Sequence, residues 1–285
     1  MNSFVLTLNP PRAKAEKISL NGPSCWKELT DPQSVAMMRF RQKVEANPAT
    51  QFAVLKLLYN LKPRHQQWLF DINFLRRQGI DPADQLLFLE YGQQILDTIA
   101  WLGQDDPDAT FVQRFNAFGK TFQGPQAALG DCNFDEFMAA DKAFRDNNLP
   151  VLAAILYRTR DGSGKRVAFD HKEAKQVATR FAKLDKAILE RIAFSFGCTL
   201  LRLGKLFKHV FKPGQDDQTL TGKKGKKAPG TWLDVVIGMA KFDATKIVQI
   251  ESINLYLVLK TLDSQVQQAA ETEARLNALK QNGHV

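Results

Sequence analysis

Phe181 to Phe211 reads FAKLDKAILERIAFSFGCTLLRLGKLFKHVF. Phe181, Leu184, Ile188, Ile192, Phe196, Leu200, Leu203, Phe207 and Phe211 recur at steps of three or four, the period of one helical face. Gly197 and Gly204 lie within the pattern without interrupting it, although each costs about 1 kcal/mol against Ala in a helix. The spacing therefore predicts one long helix over 181–211, spanning roughly 45 Å at about 1.5 Å per residue. Around it the expected fold is all-α, a multi-helix bundle built on this central helix.

Working outward, capping and breaking residues divide the chain. Thr30 or Asp31 followed by Pro32 opens a helix that runs to about residue 46 and stops at Asn47-Pro48. Helices follow near 49–61, 65–77 and 82–102, the last entered through Asp81-Pro82. The stretch 110–130 carries glycines and Pro125 and reads as irregular. Asn133 and Glu136 have the spacing of a capping pair. Asn147-Asn148 breaks that helix before the apolar run Leu149 to Tyr157, which reads as a short buried helix. Residues 158–170 read as a polar linker. After the central helix, KPGQDDQTLTGKKGKKAPG (212–230) has the composition of a mobile loop. A short helix over 231–241 and a long one capped by Asp243 complete the pattern, thinning beyond Gln268.

At the other end, Phe4, Leu6 and Leu8 alternate with Val5 and Thr7, which predicts a short strand or an extended arm. The expected division is thus an extended arm (1–22), an N-terminal helical region (23–130) and a C-terminal helical region (131–285) carrying the basic loop.

Charge is unevenly spread. The chain carries a formal net charge of +9. Residues 158–227 hold 18 Lys and Arg against 7 Asp and Glu, a net of +11, which leaves the rest at −2. Such a segment suits an acidic protein surface or a nucleic acid. Lys223, Lys224, Lys226 and Lys227 are its densest part and the candidate contacts for phosphate or an acidic partner. They lack interleaved aromatics, so they do not form the stacking platform of a single-strand binder.

No recognisable chemistry sits in the pattern. The four histidines (His65, His171, His209, His284) are scattered, and none stands at metal-ligand spacing from a Cys or another His. Gly162-Ser163-Gly164-Lys165 invites comparison with a phosphate loop. However, Thr159 stands where that loop needs its first Gly, and Arg166 where it needs Ser or Thr. No metal, cofactor or catalytic residue is implied, and a non-enzymatic protein is expected. Three cysteines (Cys25, Cys132, Cys198) form no close pair and no disulfide framework. The absence of any apolar run near 20 residues, and of a secretion-type start, leads to the expectation of a cytoplasmic protein.

Three stretches, in order, carry a family resemblance. Pro23-Ser24-Cys25-Trp26-Lys27-Glu28-Leu29-Thr30 is similar to a P-x-x-W-x-E-L-T opening of a helical region. Phe134-Asp135-Glu136-Phe137 with Ala139-Ala140-Asp141 leads to Ala154-Ile155-Leu156-Tyr157-Arg158. Phe194 to Phe211 combines with Trp232 to Leu262, where Ile253-Asn254-Leu255-Tyr256-Leu257-Val258-Leu259 is similar to an M-N-x-Y-x-V-L element. Together they resemble helical tail-assembly proteins of tailed phages and prophages, structural or chaperone-like. The chain departs from that pattern at Lys27 and in the lysine-rich loop. The resemblance implies a phage or prophage structural or assembly protein of the tail, neck or baseplate, located in the host cytoplasm or in the virion. Its partners would be other assembly proteins or further copies of itself. Phe4, Leu6, Leu8, Trp26 and Trp232 are the candidate partner-binding residues. The alternative expectation, drawn from the +11 segment, is a basic helical nucleic-acid-binding or packaging protein.

Overall fold

The computed structural model describes residues 1–8, 15–41, 47–211 and 231–282. Among these the chain is mainly helical rather than all-α, because two small antiparallel sheets accompany the helices. It divides into two compact units. One comprises Met1–Ala109 with Lys186–Arg191; the other comprises Thr110–Asp185 with Ile192–Val285. The division falls at 109/110 and not at the expected 130, and residues 1–22 belong to the first unit rather than standing apart as an arm.

The first unit begins with a hairpin. Strand β1 (Asn2–Leu8) pairs antiparallel with β2 (Glu16–Gly22), with Phe4 opposite Leu20 and Leu6 opposite Ile18. Alternation follows from the pleat: Ile18 and Leu20 are buried, whereas Val5 remains 57% exposed. The helices α1 (Asp31–Arg41), α2 (Pro48–Tyr59), α3 (Pro63–Phe70), α4 (Ile72–Arg77) and α5 (Pro82–Asp97) follow. The single helix expected over 65–77 is two, because Asp71 takes an extended conformation and its side chain accepts from the Phe74 amide, starting a new helix. Gly92 permits the close approach of α3, since a Cβ there would collide with the Leu69 carbonyl and the Phe70 ring.

In the second unit, β3 (Arg114–Ala117) and β4 (Lys120–Gln123) form a hairpin inside the stretch expected to be irregular. Phe115 and Phe122 of this hairpin pack on Tyr157 and Phe181. Helices α6 (Phe134–Arg145) and α7 (Leu149–Leu156) are separated by Asn147, in the left-handed region at φ 51°, and by Asn148, which caps α7. The break therefore rests on the two residues that signalled it.

The long central helix is not continuous. Helix α8 (His171–Phe181) fills the approach between the polar linker of 158–170 and the expected central helix, and it ends at Phe181, where that helix was expected to begin. A tight turn follows, with Lys183 bonding back to Arg180 and Leu184 to Phe181. Helix α9 (Lys186–Leu206) then begins just after Asp185, a residue type favoured at helix starts. At the far end, the backbone amides of His209 and Val210 donate to the Asp263 carboxylate at 2.8 and 3.2 Å, fixing a turn where the pattern predicted more helix. The apolar period runs through both turns, so it does not reveal them.

Helices α10 (Trp232–Met239), α11 (Ala244–Ser252) and α12 (Leu255–Asn282) complete the unit. Ile253 and Asn254 separate α11 from α12, where one helix was expected. Ile253 is extended, and its carbonyl accepts from the Phe134 amide at 2.9 Å.

Candidate interaction surfaces and a buried ion network

The residues singled out in the sequence fall into three groups. Phe4 and Leu6 lie on the inward face of β1, and Phe4 meets the Tyr59 ring edge-on at 6.4 Å. Leu8 closes the same strand. Trp26 is buried (1% exposed), packed edge-on against Trp101 at 5.6 Å with the Arg191 guanidinium 5.6 Å from its ring. Trp232 is half-buried: its indole N–H donates to Asp141 Oδ2 at 2.9 Å, and its ring meets Phe134, Phe137 and Phe211. Both tryptophans thus serve their own unit's packing and are not free anchors for a partner. Lys223, Lys224, Lys226 and Lys227 lie outside the described residues.

The densest polar chemistry is a network the sequence did not single out. Asn133 does cap α6, accepting from the Glu136 amide at 2.8 Å. The Glu136 side chain does not complete the capping pair. Its Oε2 accepts from Arg158 Nη2 at 2.9 Å, and its Oε1 accepts from Arg166 Nη1 at 2.8 Å. Arg158 also donates to the carbonyls of Val167 and Ile155, and Arg166 to that of Leu156 and to Asp131 Oδ2. Side-chain exposure is 3% for Glu136, 12% for Arg158 and 4% for Arg166. Two cations and two carboxylates balance, and charge-assisted bonds offset the cost of burial.

The apparent linker at 158–170 is therefore a return loop. Asp161 accepts from the Ser163 and Lys165 amides, Arg160 bridges Arg166, and the turn swings Arg166 inward. Gly162 to Lys165 form that turn, which accounts for the glycines without a phosphate.

Cys132 Sγ lies 3.2 Å from Glu136 Oε1 and 3.3 Å from Arg166 Nη2. Burial first, then the Glu136 carboxylate, push its thiol well above the ordinary value, and Arg166 offsets this only in part. It is thus a protonated thiol at neutral pH and a poor nucleophile. Burial also works against the charge on Arg166, but Glu136, Cys132 and Asp131 outweigh it and hold its proton more tightly than in a free arginine.

Two further features lie in the same unit. His171 Nε2 sits 3.0 Å from both carboxylate oxygens of Asp135, with Phe169 against its ring. Glu251 is pushed up by burial and then by Asp135, while His171 acts in the opposite direction. A cleft of about 60 Å³ is lined by Phe118, Phe122, Tyr157, Arg158, Val177, Arg180 and their neighbours. Drug-sized ligands occupy pockets of roughly 300–1,000 Å³, so this cleft has room only for a few waters. Among the described residues, no three His, Cys, Asp or Glu side chains gather as a metal site would require. None of the helices searched there is long and apolar enough to cross a membrane.

The network was missed because its partners are 22 and 30 residues apart in sequence. The available signal was Arg158 directly after the apolar run Leu149 to Tyr157, a position that carries a charge into the interior. The network also withdraws Arg158 and Arg166 from the basic surface that the +11 segment implied.

No family model, no curated protein and no solved structure matches the chain.

Proposed function

We propose that this protein is a non-enzymatic structural or assembly protein of a phage or prophage, acting through protein–protein contacts in tail, neck or baseplate morphogenesis. The observation that carries the reading is the second half of α12. From Gln267 to Leu279 every residue is exposed, yet the segment is helical. Leu276 and Leu279 are 53% and 68% exposed and stand three residues apart, on one face. Isolated helices of this length are marginal in water, so a partner that covers this face gives the segment a purpose. The three stretches that resemble tail-assembly proteins support the same reading. The host cytoplasm or the virion is the location that follows from it.

The test is a pull-down from the native host lysate at low and moderate salt, with and without nuclease. Recovery of tail proteins that survives nuclease and is lost on truncation after Gln268 is the expected result. Recovery that vanishes with nuclease, or with neutralisation of Lys223, Lys224, Lys226 and Lys227, would instead favour the nucleic-acid-binding alternative.

A further inference from the structure

The N-terminal hairpin leaves an edge that other proteins protect. Among the described residues β1 pairs with β2 alone, and no backbone hydrogen bond outside that pairing involves residues 2–8. One side of a seven-residue strand, about 23 Å long, therefore presents its N–H and C=O groups outward. Natural edge strands are usually blunted by shortness, lysine, proline or a bulge. The β1 sequence, NSFVLTL, has no charge and no proline, whereas β2, EKISLNG, carries Glu16 and Lys17. An uncharged, β-prone segment of this length is the type that pairs with another strand.

We propose that β1 pairs antiparallel with β1 of a second copy of this chain, about a two-fold axis at Val5, joining two hairpins into a four-stranded sheet. The self-complementarity of the strand selects this occupant. A two-fold axis at Val5 uses all seven residues. It sets Val5 against Val5 of the second copy, Ser3 against Thr7, Phe4 against Leu6, and Asn2 against Leu8 at the two ends. Each of these pairs keeps to one face: Phe4 and Leu6 lie on the inward side with Ile18 and Leu20, and Val5 on the outward side. A one-residue slip would place inward residues opposite outward ones. An isologous contact also sets the central residue against itself, and a strand with no charge meets no repulsion there. Paired Ser/Thr and β-branched residues are among the favourable cross-strand neighbours.

This pairing rests on the assembly reading for its purpose, but the two fail separately. A monomeric wild type that still captures tail proteins would remove the pairing and leave the assembly reading intact. The experiment is a concentration series by sedimentation velocity on the full chain, on Val5→Lys, on Val5→Glu, and on an equimolar mixture of the two variants. Val5 is 57% exposed, so the fold should tolerate both substitutions, and circular dichroism checks this. The wild type is expected to dimerise with concentration. Each variant should associate at least about tenfold more weakly, because like charges meet at the axis, and the mixture should recover a heterodimer. Val5→Cys should also form a disulfide-linked dimer on mild oxidation, beyond any seen for the wild type, since facing residues in an antiparallel pair lie within disulfide reach. A wild type that stays monomeric, charged variants that dimerise as well as the wild type, or a mixture that recovers nothing would each overturn the proposal.

Discussion

The first unit buries Trp26, Met37, Leu55 and Trp68, while the second buries Glu136 with Arg158 and Arg166 in its core. In the first unit aromatic rings meet edge to face: Trp26 on Trp101, Trp68 on Phe74, Phe52 on Phe70. The indole N–H groups of Trp68 and Trp101 are buried without an acceptor among the described residues. Its polar side chains bond in short links: Asn2 donates to Tyr59 Oη, Tyr59 shares a bond with Thr98, Thr98 donates to the Ile95 carbonyl, and the buried Gln85 donates to the Ile80 carbonyl. In the second unit the aromatics carry hydrogen bonds, with Tyr157 donating to the Val112 carbonyl and Trp232 to Asp141. The first interior thus depends mostly on shape, with the buried Arg191 guanidinium against Trp26, and the second on shape together with a balanced network of ion pairs. A shape-dependent core loses stability in proportion to the volume removed. A charge-balanced core loses most when one partner of a pair is removed, because the other charge remains buried.

Glu136→Ala should have the largest effect, because it strands two buried guanidinium groups. A loss of about 3–5 kcal/mol is expected by chemical denaturation. A loss under 1 kcal/mol would mean that the network carries little and that the contrast between the units fails. Trp26→Ala tests the other side of the contrast. It should cost about 3 kcal/mol from lost burial and the cavity, and leave residues 131–167 as protected as in the wild type. Trp232→Phe keeps a ring but loses the bond to Asp141. It should cost about 1–2 kcal/mol, and thermal melting at matched concentration would check this.

Cys132 adds a pH dependence to the second unit. Its folded thiol holds the proton more tightly than a free thiol, whose ordinary value is 9.0. Below that value both states are protonated and nothing is lost. As the pH rises through it, only the unfolded chain ionises, so stability falls. Cys132→Ala should flatten this fall in urea midpoints measured across alkaline pH. At the bottom of the scale, Lys142→Ala removes an exposed ion pair to Asp146 and should change stability by no more than about 0.5 kcal/mol.

Local signals in the sequence carried much of the fold. Asp81, Asn133 and Asp243 each cap a helix at the start their position announced, although the one after Asp243 is shorter than expected, and Asn148, read only as a break, caps α7. Those caps depend on a side chain reaching an amide two or three residues away, a distance that spacing encodes. The break between α8 and α9 was not legible, because a turn at 182–185 keeps the apolar face in phase. The β3–β4 hairpin was hidden by Gly119 at its turn and by Gly124 and Pro125 just after it, which are equally at home in a loop. At the site, Asn133 was legible as a cap, but Glu136 was assigned the reciprocal capping role when its side chain turns into the core. Nothing local distinguishes those two uses of one carboxylate. The choice is made by Arg158 and Arg166, which are neighbours only after folding. The burial of Trp26 and Trp232 likewise depends on rings from distant segments.

The contrast between the two interiors is tested most directly by hydrogen exchange, resolved by peptide, on the wild type and Glu136→Ala. Loss of protection concentrated at 131–136 and 156–167, with 48–97 unchanged, is the expected result. Unchanged protection at 131–136 and 156–167, or an equal loss across 48–97, would contradict it.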